Sequence, residues 1–196
     1  KLADRLHNME TIQFMQPVQR RRIATETKDI YAPLAARLGI HQMRNELEDL
    51  AFKALDPDAY RDIARMVQVK REERETYTKE FIELLRGQLE KSGLESVEVR
   101  GRSKHLYSIY RKINVRGVPF EHIDDLVAFR VLVDEDQDCY AAVGAIHAAW
   151  TPVPGRFNDY IANAKSNGYQ SLHTSVFDRG RPIEIQIRTF EMDEMC

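Results

Sequence analysis

Apolar residues recur at helical spacing through the first ~90 positions, and at alternating spacing in several short runs after them. The chain therefore reads as a helical part followed by a mixed part. Pro17 stands near the start of one helix, whose apolar stripe is Ile23, Ile30, Tyr31, Leu34 and Leu38. Gly39 is a fitting stop. A second helix is expected over about residues 43–55. Asp56-Pro57 opens a third, with Asp as cap and Pro in the first turn. That third helix carries the run KREERETYTKE and ends at Ser92-Gly93. The run reads as a solvated face with helical ion pairs.

Beyond residue 96 the period changes. VEVRG (97–101) alternates as a strand, and KHLYSIYRKI (104–113) is helical again. DLVAFRVLV (125–133) is a β-rich run with both faces apolar, so it is expected to be central. YAAVGAIHAAW (140–150) is a small-residue helix, and TPVPGRFNDY is a loop. SLHTSVF (171–177) and IEIQIRT (183–189) are strands joined by the turn DRGRP. The fold class is α+β: helices first, then a sheet of mixed order. No internal repeat or low-complexity tract appears.

Composition narrows the picture. The 196 residues are 43% hydrophobic and 31% charged, which fits a globular chain with a core. The net charge of −2 gives no global attraction to nucleic acid or an anionic membrane, so anion binding has to come from local basic clusters. No apolar run approaches a membrane span, and no signal peptide is visible. Cys139 and Cys196 do not make a disulfide framework, which points to a reducing cytoplasm. The chain lacks a starting Met and an opening helix cap, and it reads as a fragment of a longer protein.

Chemistry can be placed on three of these elements. In the helix 104–113, Leu106, Ile109, Tyr110 and Ile113 make an apolar face. Lys104, Ser108 and Lys112 lie on another face, with Arg111 beside them and Arg102 just before the helix. Cations and a hydroxyl near a helix N-terminus suit a polyphosphate, and they equally fit an ordinary exposed basic face. In IEIQIRT, Glu184, Gln186 and Arg188 oppose Ile183, Ile185 and Ile187, so the polar face is either exposed or lines a site. Arg130 interrupts an apolar strand and needs a partner. Asp125 and Glu184 on neighbouring strands could hold Mg²⁺, leaving coordination positions for phosphate oxygens. His7, His41, His105, His122 and His147 have no metal-ligand spacing and are read as structural or surface residues. A Walker-type loop, a Cys-x-x-Cys pair and a G-x-S-x-G elbow are all absent.

GRSKHLYSIYRK, DLVAFRVLV, GYQSLHT and IEIQIRT, in this order and spacing, resemble the RelA/SpoT family of (p)ppGpp synthetases over about residues 96–190. The start, KLADRLHNM, resembles the last segment of the HD-type hydrolase domain that precedes the synthetase in long members. The implied organisation is an HD remnant with connector helices over 1–55 and a synthetase domain over 56–196. The implied fold is nucleotidyltransferase-like, of the polymerase-β type, with helices flanking a mixed sheet. The implied reaction moves the β,γ-pyrophosphate of ATP to the ribose 3′-OH of GTP or GDP.

Carried over position by position, the resemblance gives each residue a role. Arg102 and Arg130 would flank adenine, and Lys104, Ser108 and Lys112 would hold the ATP phosphates. Asp125 and Glu184 would bind Mg²⁺, with Glu184 also helping to deprotonate the 3′-OH. Tyr169 would stack on guanine, with Lys165, Asn167 and His173 near the acceptor's phosphates and sugar. Asp125 and Arg130 have opposite parity, so Asp125 is expected at the mouth of its strand. Asp4 matches a Mn²⁺-ligating aspartate of the HD site, whose other ligands lie upstream in the family, so no hydrolase activity is expected of this chain.

Two positions depart from the family pattern. Asn158 stands where bifunctional members have a cation in Arg-x-Lys-Asp, and Ala164 stands where proline is frequent. Asn158 motivates a reading of a different class, a guanine-nucleotide-binding regulatory module whose synthetase site is degenerate or held off. A (p)ppGpp hydrolase is a third reading, for a parent carrying the missing HD residues. The implied partners are ATP and GTP or GDP, with no membrane, no direct nucleic-acid binding, and ribosome contact through downstream domains.

Overall fold

The computed structural model describes residues 1–69, 71–94, 96–120, 123 and 127–195, without the side chains of 71, 72, 102 and 103. The described residues fall into two compact units. One contains Lys1–Val69 with His105–Phe120, and the other contains the described residues of 70–104 and 121–195.

The first unit is helical: α1 (Leu2–Glu10), α2 (Pro17–Glu26), α3 (Ala32–Arg37), α4 (His41–Leu55), α5 (Pro57–Val69) and α7 (Leu106–Asn114). Its core gathers Met9, Ile12, Ala24, Ala32, Ala35, Leu47 and Ala51. The expected stripe is corrected here, because Ile30, Leu34 and Leu38 are 57%, 43% and 58% exposed. Between α2 and α3 the chain makes a π-helical turn, Thr27–Tyr31, instead of continuing one regular helix. Pro33 cannot donate to the carbonyl four residues earlier, and its ring crowds that carbonyl, so the ladder widens. One extra residue in a turn carries later positions about 100° around the axis. The small Ala32 and Ala35 then face α4, and the larger residues turn outward.

Asp56 caps α5 as its sequence implies, its Oδ1 accepting from the Ala59 N–H at 3.0 Å. The charge run lies on α6 (Arg71–Lys91), and Lys70, between α5 and α6, lies outside the described residues. The α6 end at Ser92-Gly93 is as expected, closed by the Leu94 N–H donating to the Leu89 carbonyl at 3.2 Å.

In the second unit the strands are β1 (Glu98–Ser103), β2 (Val127–Val133), β3 (Asn158–Asp159), β4 (Leu172–Asp178) and β5 (Arg181–Thr189). They form one sheet in the order β1-β2-β5-β4-β3. β2 and β5 are parallel, and the other pairs are antiparallel. The apolar β2 lies inside the sheet, as its sequence predicts. β3, inside the expected loop, is too short for periodicity to show and exists through its pairing with β4.

One face of the sheet carries the core. Val99, Phe129, Val131, Ile183, Ile185, Ile187, Leu172 and Val176 pack with Phe81, Leu85 and Leu89 of α6 and Cys139, Ala142 and Ile146 of α8 (Asp136–Ala149). Phe81 packs at a tilt against Phe129 and Trp150, with ring centroids 4.5 and 5.4 Å apart. Gly101 is a packing requirement, since a Cβ there would collide with the Thr78 methyl of α6. The sheet's other face therefore stays available for polar side chains.

Candidate active site

Alternation along β5 puts Glu184, Gln186 and Arg188 on the face away from the core. The strand register extends this pattern across the sheet. Arg100, Arg130, Gln186, His173 and Asn158 form one row, one residue from each strand. The adjacent row holds Ala128, Glu184 and Ser175. Glu184 is half-buried, and its Oε1 accepts from Gln186 Nε2 at 2.9 Å.

At one end of this face, α9 (Phe190–Glu194) adds a carboxylate. Asp193 Oδ1 accepts from Arg130 Nη1 at 2.8 Å and lies 3.0 Å from Arg188 Nε. Arg188 is 2% exposed. The second contact is close enough for an ion pair, but it is not aligned as a hydrogen bond. The charge inside β2 thus has the partner its burial requires.

At the same end, the turn before β4 builds an aromatic cluster, with the Arg188 guanidinium 5.8 Å from the Tyr169 ring centre. Asn167 Oδ1 accepts from the Tyr169 N–H at 3.1 Å, an Asx turn, and Gly168 adopts φ 76°. The chain then enters β4 with Tyr169 buried. The Tyr169 hydroxyl lies 2.7 Å from His173 Nε2. Tyr160 stands edge-on to both rings, at 6.2 and 5.2 Å. Lys165 Nζ sits 4.3 Å from the Tyr160 ring centre and 4.8 Å from that of Tyr169. Asp159 fixes the neighbouring loop, accepting from the Ile161 and Ala162 N–H groups at 2.9 and 2.8 Å and from the Tyr140 hydroxyl at 3.0 Å.

In the first unit, the N-terminus of α7 is held by a carboxylate from α4. Asp49 accepts from the Tyr107 N–H at 2.7 Å and the Leu106 N–H at 3.1 Å. His105 Nδ1 lies 3.3 Å from Asp49, and its Nε2 lies 2.6 Å from Ser108 Oγ. An acid at this helix end is electrostatically apt.

The structure brings together Arg130, Glu184, His173, Tyr169, Lys165 and Asn167 within the second unit. Lys104 also belongs to that unit, whereas Ser108 and Lys112 belong to the first. Arg102 is placed only by its backbone, paired with Ala128. Asp125 and His122 lie outside the described residues. Asp4 is an exposed residue of α1. Among the described residues, no group of three or more His, Cys, Asp or Glu converges as a metal cage. Glu184 supplies a hard oxygen donor of the type a divalent cation takes, with phosphate oxygens to complete the shell.

Sequence reasoning missed Asp193, Tyr160 and Asn158's pairing with His173. Gln186 and Arg188 carried a signal, the period-2 alternation around Glu184. Asp193 had none, because only the turn from β5 into α9 returns it to Arg130. The remaining candidate chemistry is quiet. Cys139 is buried, which pushes its thiol up to about 12.

Residues 101–196 match the family described as the region found in RelA/SpoT proteins, and residues 1–41 match the HD domain. The chain belongs to the RelA/SpoT family. It is 51% identical to a probable guanosine-3′,5′-bis(diphosphate) 3′-pyrophosphohydrolase of Synechocystis, covering all of this chain and 26% of that protein. It is also 51% identical to a GTP pyrophosphokinase of Streptomyces antibioticus, covering 98% of this chain and 23% of that protein. The chain thus spans about a quarter of the length of these RelA/SpoT relatives. Among solved structures, small alarmone synthetase 1 of Bacillus subtilis superposes with a TM-score of 0.50 at 28% identity, over 64% of this chain and 74% of that one. The α+β architecture expected of the family, helices flanking a mixed sheet, is the one observed. No helix among the described residues is long and apolar enough to cross a membrane.

Proposed function

We propose that this chain carries the pyrophosphokinase part of a RelA/SpoT enzyme, transferring the β,γ-pyrophosphate of ATP to the 3′-OH of GTP or GDP in the cytoplasm. The observation that carries the reading is the polar sheet face. It sets Glu184 beside the Arg130–Gln186–His173 row, with the Tyr169 cluster at its edge. This reading takes residues 56–196 as the synthetase domain and 1–55 as the HD remnant with connector helices.

Pyrophosphoryl transfer asks a protein mainly for alignment and charge neutralisation. Arg130 and Arg102 would contact the adenine, and Lys104, Ser108 and Lys112 the ATP phosphates. Tyr169 would receive the guanine, with Asn167 shaping its turn. Lys165, on its long stem, would leave the two rings for the acceptor's phosphates as the base arrives. His173, held by the Tyr169 hydroxyl, would face the acceptor sugar. Glu184 would take the proton of the attacking 3′-OH. Glu184 and Asp125 would hold Mg²⁺, which when bound neutralises charge on the phosphates. A lone Asp4 cannot assemble the Mn²⁺ site of an HD hydrolase, so hydrolysis is not assigned to this chain. Ribosome contact would belong to domains outside it.

The test is turnover by the full-length protein with ATP plus GDP or GTP and Mg²⁺. AMP and (p)ppGpp are the expected products, and Glu184→Gln is expected to abolish them. Nucleotide binding without product, in wild type and variant alike, would instead mark a regulatory module.

A further inference from the structure

Asp193 is the carboxylate on which guanidinium groups from three neighbouring strands converge. Arg130 of β2 and Arg188 of β5 meet its Oδ1 at 2.8 and 3.0 Å, and Arg100 of β1 reaches Oδ2 at 3.4 Å. Arg100 and Arg130 are directly opposed in the β1–β2 register, where like charges repel. A shared acid offsets that repulsion.

The three partners differ in kind. Arg188 is 2% exposed and fixed within the sheet. Arg100 is half exposed and already has Glu98, at 2.6 and 2.9 Å. The Arg130 side chain lies between these extremes at 22% exposure, and it makes the shortest contact with Asp193. The local fold fixes the acid itself. Thr189, next to Arg188, caps α9 by accepting from the Met192 N–H at 3.1 Å, and the turn swings Asp193 back over the sheet.

We propose that Asp193 is a positioning residue for the transfer reaction. Anchored on Arg188, it holds the Arg130 guanidinium on the nucleotide-binding face. This rests on the pyrophosphokinase reading, in which Arg130 contacts ATP. A charge-assisted hydrogen bond with a planar guanidinium fixes its orientation as well as its place.

The test is steady-state kinetics of the full-length protein. Asp193→Asn keeps the shape and removes the charge. Its KM for ATP is expected to rise about tenfold, the worth of one charge-assisted hydrogen bond, with a much smaller change in kcat and in the acceptor KM. In an Arg130→Gln background the same substitution is expected to add little, because the two residues act as one unit. Additive losses, or equal rises in both KM values, would overturn the proposal, since a merely structural role damages both sites together. Asp193→Glu keeps the charge one methylene further out, and a smaller rise in the ATP KM alone is expected. It carries the test if Asp193→Asn does not fold, and an unchanged ATP KM in it would overturn the proposal. A wild type that makes no product counts against the pyrophosphokinase reading instead. ATP binding to the same variants then decides the role of Asp193: about tenfold weaker binding in Asp193→Asn supports it, and unchanged binding overturns it.

Discussion

The Tyr169 hydroxyl and His173 Nε2 lie 2.7 Å apart, with their rings at 84° to each other. The four-residue spacing spans the passage from the Asx turn into β4, so one hydrogen bond ties the loop's ring to the strand's imidazole. Replacing Tyr169 by Ala removes both the ring and the bond. Stacking of a base on an aromatic residue is worth ~1–3 kcal/mol. Tyr169→Ala is therefore expected to raise the KM for GDP or GTP well beyond any change for ATP, and Tyr169→Phe is expected to keep most of the affinity. Kinetics with each nucleotide varied in turn checks this, and equal losses for both would contradict the guanine assignment.

Glu184 occupies a different kind of position. It is half-buried on the polar face, and its carboxylate accepts from Gln186 across one alternation of the same strand. Glu184→Gln retains the volume, so the core of Ile183 and Ile185 behind it is undisturbed. Loss of a general base costs about a hundredfold or more in rate. The expected outcome is a collapse of (p)ppGpp formation with an unchanged melting temperature, measured by product chromatography and circular dichroism. A variant that keeps its rate would remove Glu184 from the chemistry.

The sheet was readable in the sequence because its two faces differ so sharply. Ile183, Ile185 and Ile187 alternate with Glu184, Gln186 and Arg188, and an apolar β2 can only be interior. Local turn chemistry was equally readable at Asp56-Pro57 and Ser92-Gly93. The failures arose where a local pattern met a non-local cause. The stripe of Ile30, Leu34 and Leu38 obeys helical spacing, but the π-helical turn before Pro33 rotates it away from the core. Asp193 and Asp49 are unremarkable acids in sequence. Each is defined by partners a long way off in the chain, Arg130 for one and the N-terminus of α7 for the other.

Asp49 yields a stability prediction. Its two oxygens accept from consecutive N–H groups, those of Leu106 and Tyr107, and so fill the role of a capping side chain from another helix. Loss of a helix cap costs ~1 kcal/mol. Asp49→Ala is expected to destabilise the fold by about that amount in urea unfolding, and Asp49→Asn, which retains an acceptor, by less. An unchanged midpoint for the alanine variant would show that α7 does not depend on this cap.

His147 supplies a pH dependence whose sign the structure fixes. Its Nε2 lies 2.7 Å from Thr174 Oγ1, joining α8 to the core-facing side of β4. Burial lowers its pKa below the ordinary imidazole value of 6.5, because a charged ring is penalised there. The folded state thus holds the neutral ring while the unfolded state takes up a proton first. The contribution to stability is complete above pH 6.5 and is lost as the pH falls through the lower folded value. His147→Gln keeps a polar partner for Thr174 and cannot titrate, so its unfolding free energy is expected to vary less than wild type's as the pH falls below 6.5. Urea melts of both proteins across that range measure the difference. Parallel curves would mean that His147 titrates alike in the folded and unfolded chains.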